Sequence, residues 1–250
     1  MPVDATWRLQ SNSGTVTTAS TGFTPTLPNP TQPGSTLLLI FAGPGGTTVS
    51  PWNQGYDPPW FQELTPSLNA YWWRRDNQPA GETSWPLTGS LSSRWAWHMQ
   101  EWAGMSTVAQ PDAGSSITTA PPAFAACALG TQACDLATAS LQLIPDVTDY
   151  AALFALKAGP DAGGGWPAAW TFTSGWSQVD ALQVGTGTSS SPADFMLAIA
   201  EAYPGTTGSL DPALTWDITG GGSYSGRTCA VGAACYQPAP APPPAEVLTG

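Results

Sequence analysis

Few residues in this sequence have the chemistry of a reaction centre. The chain holds one histidine, His98. An imidazole can act as general base when a nucleophile or carboxylate lies within hydrogen-bond reach. No Gly-x-Ser-x-Gly elbow accompanies it to expose a serine nucleophile, and its neighbours alternate as in a strand, so His98 reads as a partly exposed strand residue. Glu82 and Glu101 stand among aromatic residues, as the paired acids of glycosidases do. Their sequence positions alone do not set them across one cleft, and a hydrolase reading rests on that pair. The run Gly43-Pro44-Gly45-Gly46 lacks the lysine and hydroxyl residue of a phosphate-binding loop and reads as a β-turn. Asp57, Asp76, Asp161 and Asp211 are carboxylates of turn-rich segments without EF-hand spacing. No catalytic residue, metal or cofactor is expected.

The four cysteines are Cys127, Cys134, Cys229 and Cys235, too few for a disulfide scaffold and without C-x-x-C spacing for zinc. Cys229 and Cys235 fall on one face of a single strand, roughly 20 Å apart, and do not bridge each other. Cys127 and Cys134 flank a short loop, which a disulfide would close or which would hold two thiols. The thirteen tryptophans are the richer signal. Those in strand-like runs, Trp73, Trp85, Trp95, Trp97, Trp176 and Trp216, read as core. Trp52, Tyr56, Trp60 and Phe61 lie in or beside the proline-rich stretch Pro51–Pro59, and Trp166 and Trp170 in a second Gly/Pro segment. Flat aromatic faces on loops stack on sugars or fill protein interfaces, so these six are the candidate interface or glycan-binding residues.

The elements that would hold them must be strands. Charged residues make up 9% of the 250-residue chain, against about 25% in an average domain, while Gly and Pro number 27 and 26. The net charge is −11, with Lys157 the single lysine, and five scattered arginines cannot form the basic stripe that nucleic acid requires. The longest apolar run, Thr36–Ala42, is far short of the ~20 residues that span a bilayer. Met1–Thr6 lacks the basic and apolar parts of a signal peptide, so export by that route is not expected.

Short apolar or alternating runs between turn clusters point to an all-β sandwich. Strands are expected near Val16–Leu27, Thr36–Ala42, Trp60–Leu64, Asn69–Arg75, Thr83–Leu87, Arg94–Trp102, Thr138–Ile144, Tyr150–Lys157, Trp176–Leu182, Asp194–Tyr203, Leu214–Thr219 and Arg227–Tyr236. In Arg94–Trp102, residues Trp95, Trp97 and Met99 alternate with Ala96, His98 and Gln100, which predicts one core face and one outer face. The chain also echoes itself. Thr36–Pro44 resembles Ala151–Pro160, Pro59–Leu64 resembles Gly175–Leu182, and Ser84–Ser90 resembles Thr215–Gly221. Such repetition reports architecture and predicts two similar halves, about 15–105 and 136–236, within one sandwich domain at 1–236. Residues 237–250 are so proline-rich that an extended tail is expected.

Three motifs taken together resemble minor tail and other virion proteins of tailed bacteriophages. They are Ala70-Tyr71-Trp72-Trp73-Arg74-Arg75, then Gly81-Glu82-Thr83, then the strand ending Glu101-Trp102-Ala103-Gly104. An early Leu-rich strand (Leu37–Phe41) and Trp turns at Pro59-Trp60 and Gly175-Trp176 complete the pattern. The resemblance spans about residues 37–236. It implies a jelly-roll-like β-sandwich without catalysis, assembled in the host cytoplasm as part of a virion, with other virion proteins as partners and homo-oligomers within a symmetric assembly. A minor tail or tail-tip protein is the expected role. A capsid decoration protein, or a module that recognises a host cell-envelope glycan through the loop aromatics, is the alternative.

Overall fold

The computed structural model describes residues 4–43, 55–57, 59–67, 69–103, 105, 125–128, 133–135, 151–158, 169–172, 175–185, 194–203, 213–217 and 228–236. Among them the chain is built from strands, with one 3-10 turn at Ala5–Trp7 and no α-helix. The strands are β1 (Arg8–Phe23), β2 (Thr36–Ala42), β3 (Phe61–Ser67), β4 (Ala70–Arg75), β5 (Leu87–Trp102), β6 (Ala125–Ala128), β7 (Ala133–Asp135), β8 (Ala151–Ala158), β9 (Ala169–Phe172), β10 (Trp176–Val184), β11 (Phe195–Ala202), β12 (Ala213–Asp217) and β13 (Thr228–Tyr236). All the pairings are antiparallel. This is an all-β sandwich. The expected strand at Thr138–Ile144 and the tail at 237–250 lie outside the described residues.

Two five-stranded sheets carry the same topology. The first runs β1-β5-β2-β4-β3 and the second, read from its far edge, β6-β13-β8-β11-β10. Each strand of the first sheet thus has a counterpart in the same chain order in the second. A third sheet, β7-β12-β9, belongs to the second half. The first half shows the corresponding contact as a single bridge between Thr26 and Ser84.

The registers give residue equivalences. Thr36 opens the pairing of β2 against Trp102, the last residue of β5, and Ala151 opens that of β8 against Tyr236, the last residue of β13. Counting from these anchors, Leu38 corresponds to Leu153, Trp72 to Ile199 and Trp102 to Tyr236. All six belong to one buried cluster, which also takes in Ile40, Ala42, Ala155 and Leu197. That cluster draws on both halves, so each half contributes one large sheet to a shared sandwich, with apolar faces packed against each other as sheets do at about 10 Å.

The opposite face of the first sheet carries a second cluster, in which Trp73, Trp95, Trp97, Phe41 and Met99 are covered by Phe23, Leu27, Trp60, Trp85 and Leu87. The central strands β2 and β4, with the second part of β5, are therefore buried on both faces, and this corrects one expectation. Ala96, His98 and Gln100 are not an outer face of β5: His98 is only 2% exposed, because the sheet of the second half lies over them. Continuous burial also explains why β2 reads as an unbroken apolar run, as strands covered on both faces do. On β1, Gly14 sits opposite Trp97, whose ring lies within 2.8 Å of where a Cβ would stand, so the indole occupies space that only glycine leaves open.

Candidate functional site

The end of β4 is a polar hub. Arg75 alternates onto the outer face with Tyr71 and Trp73, and its side chain is 0% exposed. A buried guanidinium is stable only when its donors are met. Here Nη1 donates to Gln78 Oε1 at 2.9 Å and to Glu82, and Nη2 donates to the carbonyl of Asp57 at 2.9 Å. The Tyr56 ring stacks below at 5.2 Å from the guanidinium carbon, and its hydroxyl donates to the carbonyl of Pro86. Trp85 Nε1 donates to Glu82 as well. Asn77 and Gly81, at φ 51° and 94°, turn the chain so that Gln78 and Glu82 face back toward the strand. One arginine thus ties residues 55–57 and 78–85 to the sheet.

Glu101 performs a similar task on β5. It is buried and accepts from Gln10 Nε2, from the Gln32 amide at 2.7 Å and from Ser35 Oγ at 2.6 Å. Those donors hold the segment between β1 and β2. Glu82 and Glu101, the two carboxylates with hydrolase character in the sequence, are each engaged by scaffold donors. Beside them Arg74 pairs with Asp76, whose carboxyl is pushed above the ordinary range by burial even though Arg74 and Thr36 oppose this.

A second polar set joins the halves. Arg8 pairs with Glu201, Arg94 Nη1 with Asp194 Oδ1 at 2.9 Å, and His98 Nδ1 with Asp180 Oδ2 at 3.0 Å. In every pair the basic side chain belongs to the first half and the carboxylate to the second. Gly185, at φ 101°, leaves room for Asp194, since a Cβ there would stand 2.0 Å from its carboxylate oxygen. Burial pushes the Asp180 carboxyl up, but hydrogen bonds from His98 and Ser13 outweigh it and hold it below the ordinary value.

Ser13, His98 and Asp180 have the residue types of a hydrolytic triad but another connectivity. A triad serine bonds the imidazole nitrogen remote from the carboxylate. Here Ser13 bonds Asp180, and His98 Nε2 has no partner. The arrangement clamps two sheets together and provides no route for a proton from serine to imidazole.

The six aromatic candidates are dispersed. Tyr56 is half-buried in the Arg75 hub. Trp60 is 1% exposed and belongs to the outer cluster of the first half, so its face is spent on the core and not on a ligand. Phe61, the first residue of edge strand β3, is 48% exposed. Trp170 lies on strand β9 opposite Trp216, not in a loop. Trp52 and Trp166 lie outside the described residues. Among the described residues no group of three metal-ligating side chains comes together. Arg75, Asp180 and Glu201 carry the polar architecture and were missed by sequence reading. The doublet Arg74-Arg75 at a strand end in an arginine-poor chain was the available signal.

No family model, curated protein or solved structure matches this chain.

Proposed function

We propose that this chain is a non-enzymatic structural component of a tailed-phage virion, a minor tail or tail-tip protein. The observation that carries this reading is the use made of the motif residues. Arg75, Glu82 and Glu101, which stand in the segments that resemble virion proteins, are the residues that lock loops onto the sheet. Their charges serve rigidity. A doubled sandwich whose central strands are buried and whose halves are joined by two ion pairs and a histidine–carboxylate hydrogen bond is suited to bearing load within a particle. In this reading its partners are neighbouring virion proteins and further copies of itself, and assembly takes place in the host cytoplasm. Mass spectrometry of purified particles is the test. The chain is expected at a fixed copy number, and tail-localised label in electron micrographs separates a tail protein from a capsid decoration protein. Absence from intact particles overturns the reading.

Host-glycan recognition is a second reading, favoured by Phe61, a large apolar residue that is exposed on edge strand β3. Titrating tryptophan fluorescence with host-wall polysaccharide tests it. Binding that weakens at least tenfold in Phe61→Ala supports a sugar platform there, and unchanged binding or none removes it.

A further inference from the structure

Strands β6 and β13 are aligned with Ala128 opposite Thr228, Cys127 opposite Cys229 and Ala126 opposite Ala230. Directly opposed residues in antiparallel strands have Cα atoms about 4.5–5.5 Å apart. A disulfide needs about 4.4–6.8 Å. The register brings no second pair of cysteines together among the described strands. Cys134 opposes Leu214 in the three-stranded sheet, and Cys235 opposes Ala152 farther along β13.

The equivalence of the halves says what this position is. Cys229 corresponds to Trp95 and Cys127 to Val16, which is the residue opposite Trp95 in the first half. There Trp95 is buried and Val16 packs against its cluster. The second half has small residues where the first has large ones: Tyr71, Trp73 and Met99 correspond to Ala198, Ala200 and Ala233. A layer with so little side-chain bulk gains most from a covalent tie, as domains short of apolar core generally do.

We propose that Cys127 and Cys229 are an oxidisable cross-strand pair that closes into a disulfide, stapling the first strand of the second half to its last. The co-reactant is a small-molecule disulfide such as oxidised glutathione. The thiolate of one cysteine attacks a sulfur of the small disulfide, which forms a mixed disulfide and expels one small thiolate. The other cysteine's thiolate then attacks the protein sulfur of that mixed disulfide, and the second small thiolate leaves. Two protein thiols are oxidised, the small disulfide is reduced to two thiols, and the two thiol protons pass to the departing thiolates.

The test uses the full chain, purified reduced and then equilibrated in reduced or oxidised glutathione. Peptide mapping without reductant is expected to yield one peptide pair joined through Cys127 and Cys229. The number of alkylatable thiols should fall by two, and Tm should rise by roughly 10 °C, the scale for closing a loop of about 100 residues. Cys134→Ala should keep all three changes, and Cys127→Ala and Cys229→Ala should each abolish them. A link between Cys127 and Cys134, or four thiols still alkylated when the oxidised chain is unfolded in denaturant, overturns the proposal. The mapping is done on the unaltered chain, so it decides the matter even if a variant misfolds.

Discussion

In the first half the outer face of the large sheet is filled with rings. Trp73, Trp95 and Trp97 lie buried with Phe23, Phe41 and Tyr71, with Phe41 stacked on Tyr71 at 4.7 Å and Phe23 5.3 Å from Trp95. At the equivalent positions of the second half Ala198 and Ala200 stand for Tyr71 and Trp73, Cys229 and Val231 for Trp95 and Trp97, and Leu156 for Phe41. One topology is thus stabilised in two ways. The first half relies on aromatic area and a buried arginine hub, while the second has smaller buried residues and, in our proposal, a disulfide. Topology therefore does not require a particular core; it requires that the inner face match its partner sheet, and both halves contribute apolar residues to one shared cluster there.

The comparison is tested most strongly at Trp95. Trp95→Ala should cost about 3–5 kcal/mol in urea unfolding, since it removes a fully buried ring from a packed cluster. Ala200→Gly, at the position matching Trp73, should cost only about 1 kcal/mol. Equal costs would mean that the aromatic layer is not what holds the first half. The next effect in size is at the hub, where the corresponding residue of the second half is Ala202. Glu82→Gln should cost about 3 kcal/mol, because it leaves Arg75 charged and fully buried. Arg75→Met should cost less, because the Glu82 side chain is 31% exposed and water can take over. The reverse order in denaturation midpoints would show that the guanidinium finds other acceptors.

Much of this was legible in the sequence, and the failures have physical causes. Thr36–Ala42 is a strand with the expected bounds, because an apolar run of that length between turn residues has no competing reading. The echo of Ser84-Trp85 in Thr215-Trp216 falls on the Thr26–Ser84 bridge and on β12, which occupy matching places between β4 and β5 and between β11 and β13. The strands β6 and β7 escape notice because alanine carries little strand propensity, and β9 because Trp170 stands directly after a Gly/Pro segment that reads as loop. Long-range relations were the other blind spot. Alternation in Arg94–Trp102 identified two faces but could not show that a second sheet covers the one with His98, and Trp60 looked like a loop aromatic although it is core. Charge pairs such as Arg8–Glu201, 193 residues apart, leave no local trace.

A smaller difference between the halves concerns charge on the shared face. Lys157 corresponds to Ala42 and lies over the Phe195 ring at 5.5 Å. Burial lowers its ammonium to about 8. The unfolded chain therefore holds more protons than the folded one between pH 8 and 10.5, and stability rises with pH across that window. Between pH 7 and 10 the gain should be about 2 kcal/mol, measured by urea unfolding at fixed ionic strength. Lys157→Ala, which restores the residue of the first half, should flatten that rise. A slope that persists in the variant would assign it to another group.

The smallest effect separates the joint between the halves from the halves themselves. Asp180 is held below its ordinary value of 3.8 by its hydrogen bonds from His98 and Ser13. As pH falls, the unfolded chain takes up this proton first. The stabilisation is therefore complete above the unfolded value and is lost as pH drops through the folded one. Asp180→Asn should cost about 1.5 kcal/mol at pH 6, the scale of a hydrogen bond to a charged group, and nothing once the wild-type carboxyl is protonated. Asp76 should behave oppositely, because burial raises its carboxyl and the folded chain then binds the proton more readily than the unfolded one. Asp76→Asn should accordingly cost more at low pH than near neutrality. Acid titration of both variants distinguishes a clamp between sheets from a charge buried within one. If both aspartates shifted the acid limb in the same direction, the joint would have no electrostatic character of its own.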